Sequence, residues 1–131
     1  MSQDVMPEIE IEQLDIILKF LHIFSQEGYK FGEWVAEPGH FPYFSYNPDV
    51  EAFIVAVHRA SLLFDWTSWS DEARRYQAHP DALARADLLT LCKLLTTHVR
   101  ADRFNEGHLA TVLESGHITA ILRRLKEIRE A

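Results

Sequence analysis

The chain has 131 residues, 47% of them apolar and 25% charged, with eight Phe, four Tyr and three Trp; that is one folded domain, since disordered chains lack such aromatics. A single cysteine, Cys92, excludes an internal disulfide, and no apolar run approaches the ~20 residues that span a bilayer, so a cytoplasmic protein without membrane contact is expected. The net charge of −7 is uneven: residues 1–53 hold ten acids against Lys19 and Lys30, residues 54–131 ten acids against eleven bases, so no direct nucleic-acid binding is expected.

In chain order, MSQDVMPEIEIEQ lacks the basic region and apolar stretch of a signal peptide. Residues 8–26 carry a helical period that stops at Gly28, a natural left-handed terminator. Leu14, Ile17, Leu18 and Leu21 form its stripe, and Ile16, Phe20, Ile23 and Phe24 widen it nearly all round. A helix this apolar is buried in a core or shared with a second subunit. Residues 29–47 break the period with Gly32, Pro38, Gly39 and Pro42 and predict an irregular loop with at most a short extended pair. The loop's seven aromatics must be pinned to helices.

Asn47-Pro48-Asp49 opens the next helix, with Asn as cap and Val50, Phe53, Ile54, Val57 and Ser61 along one face. Asp65 is the expected cap of a helix bearing Trp66, Trp69, Ala73 and Tyr76, which ends at His79-Pro80-Asp81. Asp87 caps a helix with Leu88, Leu91, Cys92, Leu95 and Val99 in register. The final helix runs from Ile118 with Ile121, Leu122, Leu125 and Ile128 inward. The fold class is therefore all-α, a single domain over residues 1–131 of five to seven helices.

Chemistry concentrates in RFNEGHLATVLESGH, residues 103–117. The seven histidines, at 22, 40, 58, 79, 98, 108 and 117, include no close pair of the kind zinc sites use, so no metal is expected and they read as surface or satisfied core groups. If Glu106 and Glu114 shared one helix they would lie ~12 Å apart along its axis, too far for an easy acid–base pair. No G-x-S-x-G or phosphate loop occurs, and Cys92 falls on an apolar stripe where a thiolate is disfavoured. A helix-turn-helix at residues 107–125 is opposed by Val112 in the tight position, by an inward-facing second helix and by the charge. The structural reading has Asn105 capping a helix that starts at Glu106, Arg103 anchored to Glu106 or Glu114, and Gly116 ending that helix. Gly107 in the first turn implies that something packs against bare backbone there.

The stretches GHFPYFSY (39–46), FDWTSW (64–69), ARADLLTLCKLLTTHVRADRFNEGHL (84–109) and ESGHITAILRRL (114–125) resemble a family of small bacterial proteins built on a domain of unknown function that is also found on mobile elements. The resemblance spans about residues 31–128, and its specific element is R-F-x-(D/E)-G. Members often carry Cys where this chain has Asn105, so a cysteine-based activity at that position is not expected. The resemblance implies no activity or cofactor. Three functional readings follow. The first is a non-enzymatic helical binding or regulatory module that acts through protein contacts, with a protein partner or a homodimer. The second is a small-molecule site or enzyme between the aromatic loop and the Arg103 region, with Tyr43, Tyr46, Trp66 and Trp69 as walls and Arg103, Glu106, His108 and Glu114 as charges. The third is an acidic DNA mimic that blocks a nucleic-acid-binding partner.

Overall fold

The structure is a computed structural model that describes residues 10–60 and 65–131; residues 8 and 9 of the first expected helix and Ser61 of the second lie outside them. Among the described residues there are six α-helices: α1 (Ile11–Phe24), α2 (Pro48–Ala60), α3 (Ser70–Ala78), α4 (Leu88–Ala101), α5 (His108–Glu114) and α6 (His117–Glu130). Two 3-10 segments, Trp66–Trp69 and Pro80–Arg85, lead into α3 and α4. Among the described residues the strands are those of an antiparallel hairpin, β1 (Gly32–Val35) and β2 (Tyr43–Tyr46), in register Gly32↔Tyr46 through Val35↔Tyr43. The extended pair lies inside the loop expected at residues 29–47.

The middle of the molecule is α4. Leu91, Cys92 and the whole run Leu94–Val99 are buried, because α2, α5, α6 and the first 3-10 segment pack around it. Phe53, Leu109, Ile118, Ile121 and Leu122 complete a single core with Leu14, Ile17, Phe20 and Phe24 of α1. The Phe20, Phe24, Phe31 and Phe53 rings meet edge-on or tilted at centroid distances of 5.3–5.6 Å, the arrangement that ring quadrupoles favour. Arg129 of α6 reaches Asp15 of α1 at 3.0 Å.

Helix starts follow local chemistry in two places. Asn47 Oδ1 accepts the Val50 N–H at 2.8 Å, while its amide donates to Lys30 O and Tyr29 Oη, so one side chain caps α2 and ties down the base of the hairpin. Asp87 Oδ1 accepts the Thr90 N–H at 2.8 Å and caps α4, and these bonds with Thr90 hold its carboxyl below the usual range. Asp65 acts differently from expectation: its carboxylate takes the Thr67 hydroxyl, and its backbone carbonyl accepts from Ser68. α6 begins one residue earlier than expected, at His117, directly after Gly116 at φ +83°.

Candidate functional site

Residues 102–107 form the turn between α4 and α5, and here the structure replaces the expected cap. α5 does not start at Glu106; it starts at His108, after Gly107 in the left-handed region at φ +80°. The orphan N–H groups of its first turn are satisfied from outside the helix. Leu109 N–H donates to Asp102 Oδ1 at 2.9 Å, and Ala110 N–H donates to Tyr46 Oη at 3.0 Å. Tyr46 Oη in turn donates to Asp102 Oδ1 at 2.7 Å. Asn105 contributes only its backbone carbonyl, to His108 N–H. Burial first, and then the bond to Asp102, raise the Tyr46 pKa, so this phenol stays protonated and serves as a fixed bridge.

The hairpin closes on the same turn through two further contacts. Glu106 Oε1 accepts the Phe44 N–H at 2.7 Å, a charge-assisted bond to an edge strand. The Trp34 indole lies over Gly107, where a Cβ would meet its six-membered ring at 2.6 Å. This is the close approach that a glycine at position 107 implies. Trp34 is held by an edge-to-face contact with Phe44, its cross-strand partner, at 5.6 Å. Tyr46 and Glu106 thus each tie hairpin to turn through a different partner, Asp102 and the Phe44 N–H, forming a polar latch with the indole filling the space against Gly107.

The remaining expected site residues are distributed around this latch. Arg103 is exposed and forms no ion pair among the described residues, so the expected anchor to Glu106 or Glu114 is not made: Glu106 turns to the hairpin and Glu114 is exposed on α5. Trp66 stacks on Phe104 at 5.8 Å, beside the turn, whereas Trp69 stacks on Tyr76 at 6.3 Å with Lys93 over its ring. Tyr43 lies on the outer face of β2. Phe104 of the turn is 81% exposed and Trp34 of β1 56%, so the rim of the latch presents bare aromatic surface, and Phe41 in the hairpin loop is exposed as well.

His108 sits half-buried behind the turn, with its Nε2 3.2 Å from His98 Nδ1. His98 also packs edge-on against His117, at 5.3 Å between centroids. The fold gathers these three rings from α4, α5 and α6, a group that sequence spacing does not reveal. Two of them are not the satisfied groups expected: among the described residues, Nε2 of His98 and Nε2 of His117 are buried without a hydrogen-bond partner. Burial, and then the neighbouring histidines, push His98 down to about 3, and burial pushes His117 down to about 4. Burial also lowers His108, opposed by Asp102. All three are therefore neutral at pH 7. Among the described residues, no three His, Cys, Asp or Glu side chains are arranged to hold a metal ion. Burial pushes the Cys92 thiol up to about 12, so no thiolate forms near neutral pH.

Sequence reasoning overlooked Asp102, whose contact with Tyr46 crosses 56 positions. Among the described residues, no helix is long and apolar enough to cross a membrane. α6 would be the reading helix of a helix-turn-helix, but Thr119, Ile121 and Leu122 are buried in the core.

The architecture defines a helical domain with an aromatic hairpin latched onto the turn between its fourth and fifth helices. A family model described as a family of unknown function, DUF6508, matches residues 9–131, and the chain belongs to that family. No curated protein and no solved structure matches it.

Proposed function

We propose that this protein is a non-enzymatic binding module that acts through protein contacts, using the aromatic rim of the hairpin–turn latch. One observation carries the reading: Trp34 and Phe104 remain exposed on a hairpin and a turn joined by the Glu106, Tyr46 and Asp102 bonds. Large apolar rings in water are unfavourable for a lone protomer, whereas rigidly held aromatics are efficient interface anchors because little entropy is lost on docking. Asp102, Tyr46 and Glu106 of the same region already bond within the chain, and its histidines are neutral at pH 7, which favours recognition over proton transfer.

Affinity capture from the native host with wild type and Phe104→Ser tests this. Phe104 stacks on Trp66 at the surface, so the variant is expected to keep its circular dichroism and melting temperature while losing a partner that the wild type retains. Identical captured proteins from both, or none from either, would contradict the reading.

A further inference from the structure

A second surface lies between α1 and α2, away from the latch. Ile16, Phe20, Ala52, Val55 and Ala56 line an apolar groove of about 350 Å³, closed at one end by Gln13, whose amide donates to Arg59 O at 3.2 Å. Ile16 is 46% exposed and Val55 47%. The two helices run antiparallel: Gln13 meets Arg59 at one end, and Phe20 and Ala52 line the groove beyond Ile16 and Val55. Ile16 and Val55 are therefore level, in the middle of the face.

Charge is arranged symmetrically about these two residues. On α1, Glu12 stands one turn before Ile16 and Lys19 one turn after; on α2, Glu51 stands one turn before Val55 and Arg59 one turn after. All four are exposed, and none forms an ion pair among the described residues. A two-fold axis crossing both helices at Ile16 and Val55 sets α1 antiparallel to its copy and α2 antiparallel to its copy. That operation places Glu12 opposite Lys19 of the second chain and Glu51 opposite Arg59, each pair occurring twice, while Ile16 covers its own copy and Val55 covers its own copy. An isologous interface requires this kind of self-complementarity.

We infer that the α1–α2 face is a homodimer interface, with a second copy of this chain as its occupant. The assembled contact is a four-helix layer with an apolar centre and a charged rim. A 14-residue helix is only ~21 Å long, so the contact is at the small end of specific interfaces and the dimer forms with rising concentration.

Sedimentation equilibrium of the full chain over a concentration series, at low and moderate salt, is the test. The mass is expected to rise from 15.2 kDa to twice that value. Glu51→Lys alone and Arg59→Glu alone should each raise the dissociation constant on the order of tenfold, and the two together should restore it; Glu12→Lys with Lys19→Glu provides an independent second swap. A monomer at every concentration overturns the inference. So does a dimer indifferent to both single reversals, or one that neither double swap restores.

Discussion

The α4–α5 turn and the α1–α2 face use the same residue types to opposite ends. At the turn, the carboxylates of Asp102 and Glu106 accept backbone N–H groups from α5 and β2, and the Tyr46 hydroxyl bridges Asp102 and the Ala110 N–H. On the α1–α2 face, Glu12 and Glu51 point outward beside exposed aliphatic side chains. A carboxylate that satisfies orphan backbone donors holds the fold together, because its loss leaves buried groups unpaired. A solvated carboxylate contributes little to the protomer and is free to select a partner. Net charge alone would treat the two sets alike; the difference lies in what each oxygen touches.

The largest way to disturb the turn is acid. His98 and His117 lie behind it with folded pKa values lowered from 6.5 to about 3 and about 4. Their unfolded forms take up protons first as pH falls. The stability they contribute is complete above about pH 6.5 and is lost as pH falls toward those folded values, at roughly 1.4 kcal/mol per pH unit for each ring. Urea midpoints should therefore fall steeply between pH 6 and 4.5. The double variant His98→Leu/His117→Leu should flatten that limb, relative to its own stability at pH 7. An unchanged slope would mean that these rings are hydrated in solution.

A smaller effect is expected from the latch itself. Asp102→Ala removes the acceptor of both Leu109 N–H and Tyr46 Oη and should cost about 3 kcal/mol, combining a lost cap with an unpaired donor. Ile16→Ser on the α1–α2 face should change protomer stability by less than about 0.5 kcal/mol, as surface substitutions generally do. Chemical denaturation of the two variants at low protein concentration, where self-association does not contribute, checks the contrast. Equal costs would erase the distinction between the two regions.

Much of the helical frame was legible from sequence, because its signals are local. Asn47 and Asp87 cap as their positions imply, the inward stripe of α6 is buried at Ile121, Leu122 and Leu125 and partly buried at Ile128, and the glycine at 107 announced a close contact before its partner was known. The site was less legible. Asn105 looked like the cap because it precedes the helical stretch, yet Asp102 takes that role by reaching forward across a left-handed glycine. Glu106 seemed paired to the nearest arginine and is paired to a strand 62 positions earlier. His98, His108 and His117 stand about ten residues apart and meet only because three helices converge. Contacts of that range are set by packing, and no spacing rule contains them.

The most direct measurement is amide hydrogen exchange at Leu109 and Ala110. First-turn amides of a short helix ordinarily exchange fast, since they have no intrahelical acceptor. With the Asp102–Tyr46 latch in place, both should be protected to nearly the level of the α4 core amides, and Tyr46→Phe should release Ala110 selectively. Fast exchange of both amides in the wild-type protein would contradict the latch as the element that fixes the aromatic rim.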